Sequence, residues 1–321
     1  MEEEGAMKEH FGGKRDKPYN DFSGYFRDLF DYRVQKISVD AGFSCPNRDG
    51  TKAWHGCAYC NNQTFSPEYC HKQQSISAQL AEGIQFFSRK YKTMKFLAYF
   101  QSYSNTYAQP DVLKRRYEEA LGYPGVVGLV IGTRPDCVDA WILDYLAELA
   151  KDFYISLEYG VESVLDSTLL RINRGHTFAQ SRWAITETSR RGIHCGAHLI
   201  LGLPGETSED WLNQSRVVSE LPMETIKLHQ LQIHRHTQFA AEYAKRPEEF
   251  HLFTLEEYQD LLVDYLELLN PRIVVERFIS QAPDNLLIAP RWGLKNYEFT
   301  ARLEKRMRAG NSWQGKRFDN I

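Results

Sequence analysis

No run of about 18 apolar residues occurs anywhere in the 321-residue chain, so no segment is expected to cross a membrane as a helix. The stretch from Met1 to Gly13 is charged and has no apolar core, which excludes a secretory signal peptide and makes a cytoplasmic location the expectation. An excess of one sign of charge is also missing. With 39 Lys and Arg against 42 Asp and Glu, the net charge of −3 does not mark a nucleic-acid binder. The distribution is less even: from Arg291 onward there are eight basic and three acidic residues. Such a tail can contact phosphates, and the plainer reading is a solvated helical face. There is no internal repeat and no low-complexity stretch. Gly202-Leu-Pro-Gly205 lacks the Gly-Lys-Ser/Thr ending that a phosphate loop requires.

What is present is an ordinary globular composition, 42% hydrophobic and 25% charged. The length suits one large α/β domain with an appendage, or two modest domains. Residues 1–33 read as an irregular arm containing Gly12-Gly13. Short apolar strands then alternate with helices: strands over Val34–Val39, Phe96–Phe100, Val126–Ile131, Tyr154–Leu157, Ile193–Leu201 and Thr225–Ile233. Helices are expected over Ser77–Tyr91, Pro110–Leu121, Val138–Ala150 and Ser208–Glu220, with a longer helical stretch to Arg191 broken at Gly175. Caps are read at Ser75 or Ser77, and at Thr207 or Ser208. Alternation of this kind builds a parallel sheet. Six units close into a partial TIM-type (β/α)6 barrel over residues 34–233, with an open doubly wound sheet as the alternative. Residues 234–321 break the rhythm and read as a C-terminal extension, with a helix at Thr254–Leu269, a strand at Arg272–Phe278 and a basic helical tail.

Six cysteines occur, and three fall in one loop after the first strand: Cys45, Cys57 and Cys60, spaced C-x11-C-x2-C. Iron–sulfur clusters normally take four thiolates. Three thiolates leave one iron open to an outside ligand, such as the amino and carboxylate groups of S-adenosylmethionine (SAM). The position at the carboxyl edge of the sheet is where barrel enzymes place their sites. Tyr59, between the last two cysteines, can lay its ring along an adenine. Adding Cys70, or His55 or His71, gives instead a closed structural zinc site. The spacing alone leaves both readings open.

The segments Gly42-Phe-Ser-Cys-Pro-Asn-Arg-Asp-Gly-Thr51 and Gly56-Cys-Ala-Tyr-Cys-Asn61 resemble the YhcC/YtqA group of radical SAM proteins, relatives of the Elongator catalytic subunit. Further matches follow in order: Ala98–Tyr103, Ile131–Val138, Arg171–His176, His198–Glu206 and Ile226–His229. The resemblance runs from about Gly12 to at least Pro290. It implies a partial (β/α)6 barrel, a [4Fe–4S] cluster on Cys45, Cys57 and Cys60, SAM, and a reducing donor of flavodoxin or ferredoxin type. It implies radical chemistry: reductive cleavage of SAM to a 5′-deoxyadenosyl radical that abstracts hydrogen from a substrate, with a tRNA wobble uridine as the suggested target. It also suggests SAM contacts. Gln101 and Ser102 stand where many radical SAM enzymes have a Gly-Gly-Glu segment. Thr133 and Arg134 resemble a ribose- and carboxylate-side segment. Glu158, with Glu162 beyond it, offers ribose or amine contacts. Arg174 matches a position whose planar fork suits the SAM carboxylate. His198 to Gly202 would lie beside adenine, where glycine permits close approach. The Elongator subunit's acetyltransferase domain has no counterpart in these 321 residues.

Two other classes stay in view. One is a zinc-stabilised RNA-binding protein on the same barrel. The other is a radical methyltransferase, for which Cys137 or Cys195 would supply the extra thiol; the bland reading of both is a buried thiol behaving as a small hydrophobe. Lys227 and His229 alternate with Leu228 and should share one face of their strand. If that face is the barrel lumen, the lysine needs an acid partner or an anion. Glu276 and Arg277 read as an ion pair closing the open side, or as substrate contacts.

Overall fold

A computed structural model describes residues 17–64, 66–88 and 94–319. The six expected strands are present: β1 Val34–Val39, β2 Lys95–Phe100, β3 Val126–Thr133, β4 Tyr154–Glu162, β5 His194–Leu201 and β6 Thr225–Gln230. A seventh, β8 Val274–Arg277, joins them through the extension, and the sheet runs β1-β2-β3-β4-β5-β6-β8. Every pairing is parallel, and the sheet curls into a half-barrel. The sixth strand is shorter than its apolar run. The chain turns after Gln230, and Ile233–His234 forms β7, which pairs antiparallel with β9 Leu287–Ala289 in a separate small sheet. Conversely, β4 continues past Gly160 to Glu162 through a shift in register against β5.

Among the described residues the first helix, α1, spans Phe22–Leu29. Crossover helices return the chain between strands: α2 Ile76–Ser88, α3 Pro110–Leu121, α4 Ala140–Leu149, α5 Asp166–Arg171 with α6 Phe178–Arg190, and α7 Ser208–Ser219. The end of the first of these, expected at Tyr91, lies outside the described residues, as do Gly12 and Gly13. The helical stretch to Arg191 breaks where expected, with Gly175 at φ +76° between α5 and α6. Caps resolve to single residues. Ser75 Oγ accepts from Ala78 N at 3.1 Å, and Thr207 forms a reciprocal capping box with Asp210 at the start of α7. Three more helices follow in the described residues: α8 Gln238–Tyr243, α9 Leu255–Leu268, capped by Thr254, and α10 Asn296–Ala309. Among the described residues no helix is long and apolar enough to cross a membrane.

Strand alternation sorts the side chains. One set, including Ile37, Val39, Leu129, Ile131, Leu157, Ala197, Leu199, Ile226 and Leu228, packs beneath the helices in the main core. The other set faces the lumen, and much of it is polar: Lys36, Glu158, His198, Lys227 and His229. The lumen end beside Tyr154 and His194 is stopped by α1: Phe26 meets Tyr154 edge-on at 5.9 Å, and Tyr25 OH lies 3.3 Å from His194 Nδ1. The segment before α1 lies along the outer edge of β8, with Val275 N donating to Asn20 O at 2.8 Å. Both are held by Gln314, whose side chain accepts from Asn20 N and donates to Ile273 O, each at 2.8 Å.

Candidate active site

The cysteine loop connects β1 to α2 at the carboxyl ends of the strands. Cys45 O accepts from Arg48 N, and Cys57 O from Cys60 N, so each end of the motif is a tight turn. The loop is docked on the segment between α5 and α6. Ala58 N donates to Ile172 O at 2.9 Å, Asn173 Nδ2 to Gly56 O at 2.8 Å, and Asn47 Nδ2 to Asn173 O at 2.6 Å. Arg171–His176 is therefore the cradle of the cysteine loop.

One pocket is lined by Cys45, Cys57 and Cys60 together with Tyr59, Gln101, Thr133, Arg134, Glu158, Arg174 and His198. Ser102 and Gly202 are not on its wall. Ser102 Oγ lies 3.0 Å from Ser66 Oγ, tying the end of β2 to the loop. Gly202, at φ +90°, turns the chain where a Cβ would stand 2.7 Å from the Phe253 ring. Cys70 is elsewhere too: its thiol donates to Ser38 O at 3.1 Å. Cys195 is buried in the core under the helices, its thiol 3.5 Å from Pro222 O. Cys137 is half-buried, and burial pushes its thiol up to about 12.

Arg174 is buried, and its guanidinium is already engaged. Nε donates to His176 Nε2 at 3.0 Å, Nη1 to Cys57 Sγ at 3.4 Å and Nη2 to Gly160 O, with Glu162 Oε1 3.4 Å away. Gly160 is required here, because a Cβ would strike that guanidinium. Burial, followed by the charge of Arg174, holds His176 neutral at about 3. Asn47 Nδ2 supplies a second donor to Cys57 Sγ, at 3.6 Å. Arg134 Nε and Nη2 each donate to Asp136 at 2.9 Å, and Lys52 reaches the same carboxylate. Burial would raise the Asp136 carboxyl, but Arg134 outweighs it and holds it at about 2. Arg134 Nη1, within a side chain 2% exposed, has no hydrogen-bond partner among the described residues. Thr106 gives its one proton to Cys137 O, so Thr133 donates to Thr106 and keeps its own oxygen as an acceptor. Gln101 Oε1 accepts from Ser38 Oγ at 3.3 Å.

Glu158 lies at the centre of the lumen. Oε1 accepts from Lys36 Nζ at 2.9 Å; Oε2 accepts from Lys227 Nζ and lies 3.2 Å from His198 Nε2. Burial would raise its carboxyl, but Lys227 and then Lys36 hold it well below the usual range. Lys227 thus has the acid partner its position demands. Glu276 pairs with Lys36 and Lys227, not with its neighbour Arg277. Burial keeps His198 on the neutral side of its ordinary value. Lys36 and Asn47 drew no role from the sequence. The alternation that places Lys227 and His229 on one face applies equally to Lys36, between Gln35 and Ile37, and was the available signal. Asn47 carries no pattern that separates it from any loop asparagine.

These residues fit a cluster with an open iron. The Cys57 sulfur receives two N–H donors, as thiolates on clusters do. The three thiols share one pocket, while the fourth thiol of a closed zinc site, Cys70, is bonded outside it. The orphaned Arg134 Nη1 is a buried cationic donor in want of an anion, which the carboxylate of SAM would be.

The chain's similarities agree. Residues 50–213 match the family described as the Radical SAM superfamily, and residues 223–309 match the Radical_SAM C-terminal domain. The Bacillus subtilis protein YtqA is 33% identical over 306 residues, covering 95% of this chain and 94% of its own. The Escherichia coli protein YhcC is 36% identical over 277 residues, covering 86% and 88%. In fold the chain is similar to the archaeal Methanocaldococcus infernus Elp3, with a TM-score of 0.68 at 15% identity, over 88% of this chain and 64% of that one. The chain belongs to the radical SAM superfamily, in the group that contains YtqA and YhcC.

Proposed function

We propose that Cys45, Cys57 and Cys60 hold a [4Fe–4S] cluster and that SAM binds beside it along the carboxyl ends of the strands. When bound, the cluster supplies one electron to SAM, which splits into methionine and a 5′-deoxyadenosyl radical that takes a hydrogen atom from substrate. The observation that carries the reading is the convergence of Asn47 and Arg174 on the sulfur of Cys57, inside the pocket all three thiols line. Arg134 turns its free Nη1 to the methionine carboxylate while Asp136 fixes its plane. Thr133 offers an acceptor oxygen to a ribose hydroxyl. Tyr59 and Ile200, which share an apolar cluster, flank the adenine. Glu158 and His198 would supply polar wall of the same pocket, and Gln101, which accepts from Ser38 of β1, a further polar contact. Ser102 and Gly202 act one layer out, holding the loop and the end of β5. Electrons come from a flavodoxin or ferredoxin type of donor in the cytoplasm.

The substrate is a tRNA base, with the wobble uridine as first candidate. Beyond the resemblance in sequence, two exposed rings support this. Tyr103 lines the mouth and Trp54 stands in the cysteine loop, 39% and 70% exposed, and aromatic rings of this kind stack unpaired bases. The basic tail adds less than its composition suggests. Arg306 pairs with Asp260, Arg308 with Glu304, and Arg317 with Asp264 and Glu267.

The test is anaerobic purification with iron, sulfide and zinc analysis, followed by dithionite, SAM and a 5′-deoxyadenosine assay. About four irons per chain and release of 5′-deoxyadenosine are expected. Both should be abolished in Cys57→Ala and kept in Cys70→Ala. One zinc per chain without cleavage would overturn the reading.

A further inference from the structure

The charges of the lumen do not balance. Lys36 and Lys227 stand against Glu158 and Glu276: Lys36 Nζ is 2.9 Å from Glu158 and 2.8 Å from Glu276, and Lys227 Nζ contacts Glu158 and lies 3.1 Å from Glu276. Two cations and two carboxylates cancel. Arg277, the next residue on β8, is outside this set. Its Nε and Nη2 both donate to His229 Nε2, at 3.3 and 3.0 Å. Among the described residues it makes no ion pair.

His229 is a neutral partner. Burial, and then the charge of Arg277, push it well below its ordinary value. Its Nε2 is the acceptor, so the imidazole fixes the plane of the guanidinium and cancels none of its charge. This half-buried guanidinium keeps an uncancelled charge at the wall of the lumen. Arg277 and His229 both line the pocket of the three cysteines, beside Gln230, Gln232 and Ser280. Arg277 also borders the groove between the edges of the sheet, beside Phe22, Phe26 and Tyr32. It therefore stands where a substrate in the lumen would meet it.

We propose that Arg277, oriented by His229, anchors an oxyanion of the substrate, a carboxylate or a phosphate, so that the rest of the substrate extends toward the cysteine end of the same pocket. A planar fork with N–H groups left over is the donor set that both oxyanions take. The proposal rests on the radical SAM reading, since it describes the substrate of that site.

The test is thermal unfolding of the full chain, with and without SAM, while chloride is replaced by phosphate or by acetate at constant ionic strength. Saturable stabilisation of the wild type by one of these anions is expected, and which anion acts separates phosphate from carboxylate. In Arg277→Gln the affinity should fall about tenfold or more, while SAM stabilises the variant as it does the wild type. No stabilisation of the wild type by either anion, or equal affinity in Arg277→Gln, would overturn the anchor. If Arg277→Gln shows no cooperative unfolding, wild-type crystals soaked in selenate decide. An anomalous peak within hydrogen-bond distance of the Arg277 guanidinium supports the anchor; its absence there, together with the absence of bound acetate at that guanidinium after an acetate soak, overturns it. Absence of any SAM effect on reconstituted wild type, with the anion effect intact, would instead count against the radical SAM reading and leave the anchor standing.

Discussion

Lys36 on β1 reaches Glu276 on β8 at 2.8 Å, which links the two outermost strands of a sheet that do not pair with each other. Glu158, on the central strand, accepts from the same ammonium at 2.9 Å. Three strands are thereby tied across the lumen by side chains alone. A half-barrel lacks the closing ladder of hydrogen bonds that fixes the shape of a full barrel, and this ionic set stands in its place.

Removing one member should cost more than removing a pair. In the metal-free protein, Lys227→Met leaves Glu158 short of its main partner and should lower stability by about 3 kcal/mol. Adding Glu158→Gln should recover part of that loss, because the two sites are coupled. Urea unfolding of the single and double variants checks this. The depressed carboxyl of Glu158 also sets a pH dependence. Its contribution is complete above the unfolded value of about 4.3 and is lost as pH falls through the lower folded value, so the acid limb should flatten in Glu158→Gln.

Asn47 should matter more to iron than to the fold. Its amide donates to Asn173 O, Arg174 O and Cys57 Sγ. At about 1 kcal/mol for each neutral bond, Asn47→Ala should loosen the loop by about 2–3 kcal/mol. The expected result is a sharp drop in iron per chain after reconstitution, with the far-ultraviolet dichroism and the main melting transition little changed.

Arg134→Gln should weaken SAM binding by roughly ten- to a hundredfold, because it removes a charged donor from a dry site. Equilibrium dialysis against reconstituted protein measures it. Iron content should hold, since Arg134 makes no hydrogen bond to a cysteine sulfur; a parallel loss of iron would show that Arg134 supports the loop and not the ligand.

Glu206 gives the opposite pH signature to Glu158. Ser163 and Trp211 donate to its carboxylate, yet burial dominates and raises it to about 7. Above the unfolded value the folded chain holds a proton that the unfolded chain has lost, so stability should fall as pH rises from about 4.3 toward 7. Glu206→Gln should remove most of that slope, worth about 3 kcal/mol at pH 8. Melting curves between pH 5 and 8 decide.

Much of this architecture was legible in the sequence. The strands show as short apolar runs, and the cysteine spacing placed three thiols in one loop. The break at Gly175 and the cap at Thr207, one of the two read for that helix, follow from local chemistry alone, whereas Thr254, read as the first helical residue, is the cap. The division of labour among the polar residues was not legible. Arg174 gives the same local signal whether its fork faces a ligand or, as found, a thiol, a carbonyl and a histidine brought together from three segments. Glu276 and Arg277 are adjacent in sequence and opposite in charge, yet each finds its partner on another strand: a register shift between β6 and β8 breaks the alternation there, so both side chains reach the lumen, Glu276 toward Lys36 and Lys227 and Arg277 toward His229. The end of β6 was overrun for a similar reason: Leu231 and Ile233 continue the apolar run, but they pack with Ile172, Phe239 and Phe250 instead of the main core.

Gln314 holds Asn20 across 294 residues of sequence. That clamp, with Gln314 N also donating to Pro18 O, secures the strap from which α1 stops the lumen, so the stopper is set by contact between segments far apart in sequence and not by its own eight-residue helix. Contacts of such separation close late in folding, because loop entropy must be lost before they return anything. The floor of the half-barrel, opposite the cysteine end, is therefore completed only when these distant segments meet, and pulsed amide exchange during refolding should show it protected after the central strands.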